Sequence, residues 1–212
     1  MSRFFALALT LALCPAAWAH EKDDRARPAP GTALGPESLA ISAHPRLNVI
    51  APAPEFALLD PTGAAVRLSE LRGQVVLVAF IYTTCTTVCP ILGQQMATLQ
   101  RRVKQDKLLR GRVMLLSVTV DPSRDSAAAL TSYASALGAD PAGWKFLRET
   151  NEAIAPVLAA YREWTKPMPG GELDHPARVH LIDADGRIRE IYSLAFFDPR
   201  QAIIDIRSLA KR

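Results

Sequence analysis

One uninterrupted apolar run restricts the fold of this chain more than any other feature. Residues 75–82 carry no charge, which is typical of a strand covered on both faces of a sheet. A helical stripe follows, in which apolar residues from Leu92 to Val103 recur at spacings of four, three and four. Residues 112–120 then read as a second buried strand. This order predicts an α/β domain in which a right-handed crossover joins two parallel strands.

Turn residues predict two antiparallel hairpins around this unit. Residues 56–60 and 65–68 flank a Pro-Thr-Gly turn, and residues 178–182 and 187–194 flank an Asp-Ala-Asp-Gly turn. The predicted fold is therefore α/β, with a central mixed sheet flanked by helices and a β-hairpin at the amino end of the domain.

Three further predictions concern helices. Asp125 is expected to cap a helix that runs to residue 137. Asp198 is expected to cap a final helix with Pro199 at its first position. That helix would bury Ile203, Ile206 and Leu209. Pro156 is expected to break or kink a helical segment after residue 150, because proline lacks an N–H and clashes with the preceding turn.

The amino terminus has the features of an export signal. The apolar residues 4–19 end in Ala17-Trp18-Ala19, the small-x-small pattern cut by signal peptidases. Residues 1–19 are therefore predicted to be a signal peptide, or an uncleaved membrane anchor. The protein is expected to be periplasmic or otherwise extracytoplasmic, either soluble or tethered through its amino terminus. Cleavage would discard Cys14, which follows Leu13 where a lipoprotein signal needs a small residue.

Composition separates a tether from a folded domain. Six prolines lie between residues 20 and 54, so residues 20–52 are predicted to be a flexible tether and residues 53–212 the folded domain. The formal charge of +4 falls to +3 when the leader is removed with Arg3, and no basic run is present. Nucleic-acid binding is therefore not indicated, whereas docking on an acidic partner or membrane surface suits this charge.

Cys85 and Cys89 are the two cysteines expected in the mature chain. Pro90 is predicted to open the helix with Cys89 at its cap, because proline suits the first helical turn. Both sulfurs would then face the amino end of the helix, where N–H groups and the helix dipole lower the pKa of a thiol. Thiolates are the nucleophiles of disulfide exchange and also soft ligands for copper(I). Position alone does not choose between these roles.

Three other roles for the cysteines fit less well. A structural disulfide would close a very small loop and stabilise little. A peroxiredoxin needs Pro-x-x-x-Thr-x-x-Cys, but Val78 and Tyr82 occupy those places before Cys85. A structural zinc site needs four protein ligands, and two cysteines without a nearby HxxxH pattern do not supply them. Copper(I) accepts fewer ligands, so a single histidine would complete such a site.

Four histidines are candidates for that ligand. His20 and His44 lie in the predicted tether, and His180 lies in an apolar strand where a packing role is expected. His175 and His180 differ by an odd number of positions, so on one strand they would face opposite sides. Only one of these two would then point toward the cysteines.

Several motifs in the same order resemble the Sco/SenC family. They are Ala53-Pro-Glu-Phe-Ala-Leu-Leu-Asp60, Leu68-Ser-Glu-Leu-Arg-Gly73, the CxxxC followed by Pro90, Val120-Asp-Pro-Ser-Arg-Asp125, and the run from Leu173 through Asp174 and His175 to Asp183. The resemblance implies a thioredoxin-like fold and a role in cytochrome c oxidase assembly. It also implies that Cys85, Cys89 and His175 ligate copper, with copper(I) preferred and copper(II) possible, and that His180 is structural.

Four neighbouring residues have secondary roles under this resemblance. Asp174 would orient His175 or serve in a turn. Asp121 and Asp125 fit turn and helix-cap roles better than ligand roles. Pro176 stands where a small polar residue is expected and is similar to the cis-proline that thioredoxins place beside their dithiol, which leaves a redox role open.

Three functions remain open from the sequence. The first is a copper metallochaperone whose recipient is the dinuclear copper site of cytochrome c oxidase subunit II. Its dithiol would depend on an extracytoplasmic thiol reductase. The second is a thiol-disulfide oxidoreductase that reduces the copper-site cysteines of that subunit. The third is an exported scaffold with a dispensable disulfide. Loss of His175 would separate the first two, because disulfide exchange needs only the thiols.

Overall fold

The fold is built on a six-stranded sheet with both parallel and antiparallel neighbours. The computed structural model describes residues 47–210. In chain order the strands are β1 (Ala51–Pro52), β2 (Ala57–Leu59), β3 (Ala65–Arg67), β4 (Val75–Ile81), β5 (Val113–Thr119), β6 (Trp144–Leu147), β7 (Lys166–Pro167), β8 (Leu173–Asp174), β9 (Arg178–Ile182) and β10 (Arg187–Ser193). The central sheet has the order β1-β10-β9-β4-β5-β6. The β4, β5 and β6 strands are parallel and the other pairs antiparallel, so the predicted mixed sheet is confirmed.

Strands β4 and β5 form the centre of the hydrophobic core. Every residue of both strands is buried, and they pair in register from Val75 with Val113 to Ile81 with Thr119. A parallel pair covered on both faces needs apolar side chains at successive positions, which explains the unbroken runs in the sequence. The cysteine-bearing loop follows the carboxyl end of β4 and is therefore anchored to the most buried part of the molecule.

Four helices accompany the sheet: α1 (Cys89–Gln105), α2 (Ala127–Ala136), α3 (Asn151–Ala160) and α4 (Pro199–Ala210). The predicted apolar stripe of α1 is buried, as are Ile203, Ile206 and Leu209 of α4. Asp198 precedes α4, where its carbonyl accepts from the Ala202 N–H and its carboxylate accepts from the Arg200 N–H. The predicted final helix is thus confirmed. The two predicted hairpins are also present, as β2–β3 and β9–β10.

The structure differs from two helix predictions. Ser126, not Asp125, caps α2, because its hydroxyl accepts from the Ala129 N–H at 3.2 Å. Helix α3 runs through Pro156 without a break. A proline removes one backbone hydrogen bond, and the burial of Ile154 and Leu158 on the same helix offsets that loss.

The folded region starts earlier than predicted. The β1 strand pairs with β10 inside the segment assigned to the tether, and Leu47 is buried while its carbonyl accepts from Arg189 Nε at 2.9 Å. These contacts use main-chain groups, so proline-rich composition does not reveal them. The predicted leader and most of the predicted tether lie outside the described residues. Within residues 47–210, no helix combines the length and apolar character needed to cross a membrane.

Candidate metal centre

The dithiol lies between the end of β4 and the start of α1. Cys89 is the first residue of α1, Pro90 the second, and Val88 the residue before the helix, so the helix starts one residue earlier than predicted. Val88 offers no side-chain cap. The sulfur of Cys85 takes that role instead, because it accepts the Cys89 N–H at 3.2 Å. The two cysteines are therefore joined through the first N–H of the helix.

The pKa values of the two free thiols are shifted in opposite directions. Burial raises the pKa of Cys85, but hydrogen bonds from the Cys89 thiol and from backbone N–H groups of Thr87, Val88 and Cys89 outweigh it, and the pKa is lowered overall. Burial, together with the hydrogen bond to Cys85, raises the pKa of the fully buried Cys89 thiol far above its ordinary value. Cys85 is therefore the more acidic thiol of the pair, and Cys89 keeps its proton to higher pH.

This asymmetry predicts the pH dependence of alkylation. A lowered pKa keeps Cys85 ionised at lower pH, so its reaction with iodoacetamide should have a midpoint below that of a free thiol, about 8.5. Cys89 should react only at higher pH. Mass spectrometry of peptides alkylated across a pH series measures both midpoints. In denaturant the two cysteines should react together, which provides the reference. Earlier labelling of Cys89 in the folded protein would contradict the assignment.

A buried carboxylate accepts hydrogen bonds from the loop that leads to the cysteines. Asp125 is 0% exposed, and its oxygens accept from the Thr83 N–H at 3.1 and 3.2 Å. The same carboxylate also accepts from the hydroxyls of Thr83 and Thr119. It thereby ties the loop after β4 to the end of β5. Asp125 was predicted to be a helix cap, but its carboxylate is instead the main polar anchor of the loop.

His175 reaches the dithiol from a separate small hairpin. Strands β7 and β8 pair outside the central sheet, and His175 follows β8 directly. Its Nε2 lies 3.9 Å from Cys89 Sγ, and its Nδ1 accepts the Ala177 N–H at 3.3 Å. Burial lowers the pKa of His175, although the charges of Glu163 and Asp174 oppose this. The imidazole is thus neutral at neutral pH, the form that binds metals.

Cys89 is the central member of the three predicted ligands. It contacts the Cys85 sulfur through its N–H and the His175 ring through its thiol. Across residues 47–210, no three His, Cys, Asp or Glu side chains are already gathered closely enough to hold a metal ion. The three predicted ligands therefore form a chain of contacts rather than a closed cage.

The other predicted residues lie around this chain of contacts. Asp174 is the last residue of β8, directly before His175, and is exposed. Asp121 is in a turn, where its carbonyl accepts from the N–H groups of Arg124 and Asp125. No peptide bond in residues 47–210 is cis, so Pro176 differs from the thioredoxin cis-proline and that similarity was wrong. His20 and His44 lie outside the described residues.

His180 belongs to a different environment. It is 2% exposed on β9, and its ring packs edge-on against Phe80 and Tyr161 at centroid distances of 5.9 and 5.1 Å. Its Nε2 lies 3.5 Å from the buried carboxylate of Glu163, which also faces Arg178 at 3.0 Å. His175 precedes β9 rather than lying on it, so the predicted strand alternation does not relate the two histidines.

Comparison with known proteins places the chain in a family. A family model described as SCO1/SenC matches residues 48–211. The chain belongs to the SCO1/SenC family. The SCO1 protein homolog of Bacillus subtilis (strain 168) is 28% identical over 157 residues, which cover 72% of this chain and 80% of that protein. The mitochondrial SCO2 homolog of Bos taurus is 32% identical over 146 residues, which cover 66% of this chain and 53% of that protein.

Solved structures of SCO1/SenC proteins share the fold. ScoI of Bradyrhizobium japonicum with copper bound is 31% identical, with a TM-score of 0.64 and coverage of 75% of this chain and 99% of that one. BsSco, described as having a disulfide switch and as a member of the Sco family of cytochrome c oxidase assembly proteins, is 26% identical, with a TM-score of 0.66 and coverage of 77% and 96%. The predicted thioredoxin-like fold is therefore confirmed. The chain spans about half the length of the mitochondrial SCO2 homologs it matches.

Proposed function

We propose that this protein carries copper, bound by Cys85, Cys89 and His175, to the dinuclear copper site of cytochrome c oxidase subunit II. The observation that carries the proposal is the 3.9 Å approach of His175 Nε2 to Cys89 Sγ across 86 residues of sequence. This contact places an imidazole beside a dithiol. A member of the same family, ScoI of Bradyrhizobium japonicum, has a structure with copper bound.

The ligand set favours copper(I). Thiolates are soft ligands, which copper(I) prefers. Copper(I) is bound by as few as two or three ligands, here two thiolates and an imidazole, whereas zinc prefers four. Copper(II) would need an additional oxygen ligand or water. Loading displaces the proton of Cys89, because only thiolates ligate the metal and this thiol is protonated in the free protein. A low-coordinate site also leaves room for ligands of a recipient to enter and take over the ion.

Copper transfer is proposed to occur outside the cytoplasm. The leader-like residues 1–19 favour export or anchoring, and the recipient copper site faces the same side of the membrane in this proposal. Thiols oxidise readily in such a compartment, so a thiol reductase would keep Cys85 and Cys89 available.

The acidity difference between the thiols supports a second function. In this alternative, the Cys85 thiolate attacks a disulfide between the copper-site cysteines of the recipient and forms a mixed disulfide. Cys89 then passes its proton to the recipient sulfur freed in the first step and attacks the Cys85 sulfur of the mixed disulfide. The second recipient sulfur leaves and takes a proton from water, so the recipient is released as a dithiol and the protein keeps a Cys85–Cys89 disulfide. The recipient gains two electrons and the protein loses two.

A transfer assay separates the two functions. The reduced protein is loaded with one equivalent of copper(I), mixed anaerobically with the reduced copper-site domain of subunit II, and separated from it before copper is measured. We expect copper on the recipient with the wild type and little with His175→Ala. When the recipient is supplied as a disulfide, both proteins should reduce it equally. Copper that never reaches the recipient, together with normal disulfide reduction, would favour the oxidoreductase.

A further inference from the structure

The hairpin that carries His175 is held by side chains rather than by the central sheet. The β7 and β8 strands have two residues each and, within residues 47–210, pair only with one another. Gly170 and Gly171 at the turn both have positive φ angles, of 79° and 80°. Such a short hairpin is not stable alone in water. Contacts with the rest of the molecule therefore determine where His175 lies.

Glu172 provides contacts on both sides of Cys85. Its carboxylate accepts from the hydroxyl of Tyr82, three residues before Cys85, and from the hydroxyl of Thr86, one residue after it. The Thr86 bond is 2.8 Å long. One side chain of the hairpin thus fastens it to the loop that holds the dithiol.

Tyr82 strengthens the same connection. Its hydroxyl accepts the Leu173 N–H at 3.0 Å, and its ring lies edge-on to the His175 ring at a centroid distance of 5.7 Å. The guanidinium of Arg124 lies 5.8 Å from the centre of the Tyr82 ring and also donates to the Gly171 carbonyl. Tyr82 is 1% exposed, so these contacts form against a fixed side chain.

The charge of the Glu172 carboxylate suits its role as the acceptor of two hydrogen bonds. The hydrogen bonds from Tyr82 and Thr86 lower the pKa of Glu172. An ionised Glu172 therefore accepts from two hydroxyl groups, and charge-assisted hydrogen bonds of this kind are stronger than neutral ones.

We propose that Glu172 is a positioning residue that clasps the His175 hairpin onto the cysteine loop and so presents the imidazole as the third copper ligand. This inference rests on the proposed function. Glu172 does not touch the three ligands, and its effect on copper passes through His175. Loss of the clasp should therefore matter only while His175 is present.

A double-mutant cycle tests this dependence. We expect Glu172→Ala to weaken copper(I) binding by about 10-fold in the wild-type background, the usual size of effect for a group that orients a ligand. In the His175→Ala background the same change should have almost no effect. Glu172→Gln, which keeps one acceptor oxygen, should give an intermediate loss. The matched control is Glu70→Gln, because Glu70 is exposed and pairs with Arg67 at the surface.

Amide hydrogen exchange of the metal-free protein provides a second readout. Glu172→Ala should speed exchange at the Leu173 N–H, which donates to Tyr82, by about 10-fold, whereas Glu70→Gln should not. Equal loss of copper affinity in both backgrounds would overturn the clasp, as would unchanged exchange at Leu173. If the wild type has no tight copper site while Glu172→Ala still speeds exchange, the clasp stands and the proposed function fails.

Discussion

Replacing Cys85 and Cys89 together with serine is expected to abolish tight copper(I) binding. A serine hydroxyl stays protonated at neutral pH and is a hard ligand, so neither residue can replace a thiolate. Anaerobic competition with a chromophoric copper(I) chelator should show one tight equivalent in the wild type and none in the double variant. Serine is close to cysteine in size, so the fold should be retained, which circular dichroism can check.

The matched control for this change is Cys14→Ser in the full chain. It makes the same substitution at the third cysteine, which lies in the predicted leader. Copper(I) affinity should be the same as in the wild type. A tight site that survives the double substitution, or one that disappears with Cys14, would place the copper elsewhere in the protein.

Asp125→Ala is expected to have the largest effect on stability among the substitutions considered. The change leaves the Thr83 N–H and the hydroxyls of Thr83 and Thr119 without their buried partner. Losing such a group should lower the free energy of unfolding by about 3 kcal/mol. A domain of this size should then melt about 9 °C lower. Thermal unfolding of the metal-free, reduced protein measures this difference.

Asp185→Ala is the matched control for the stability measurement. The Asp185 side chain is 70% exposed and pairs with Arg187 at the surface. Its loss should change the free energy of unfolding by less than about 1 kcal/mol. If Asp125→Ala were no more destabilising than Asp185→Ala, the buried carboxylate would not be the anchor of the cysteine loop.

The parts of the fold predicted from sequence are those with a periodic local signal. Apolar runs identified β4 and β5, and the helical spacing from Leu92 to Val103 identified the buried face of α1. Turn residues located both hairpins. These signals arise from neighbours along the chain, so one sequence contains all the information needed to read them.

The features that were missed depend on contacts between distant segments. Asp125 follows a strand and precedes a helix, where capping and burial leave the same sequence pattern. The β1 strand joins the sheet through main-chain pairing, and the composition of a proline-rich segment does not predict such pairing. Tyr82 and Glu172 are separated by 90 positions, and no periodicity links them.

The candidate site was predicted in two different ways. The cysteines were found from their spacing and from Pro90, which signals the start of a helix. His175 was chosen over His180 by family resemblance, since strand alternation does not apply to a residue that precedes β9. In the structure His175 Nε2 lies 3.9 Å from Cys89 Sγ, and its role as a copper ligand stays a prediction. The difference in acidity between the thiols came only from the structure, because it depends on burial and on which N–H groups face each sulfur.

Cys85, Cys89 and His175 are proposed to form one copper site together. The most direct test of this proposal is the copper(I) affinity of the reduced protein, measured by anaerobic competition for the wild type and for His175→Ala. We expect a single tight site that is weakened at least about 10-fold by the loss of the imidazole. Weak binding that His175→Ala leaves unchanged would contradict it, and disulfide exchange would then be the function to test.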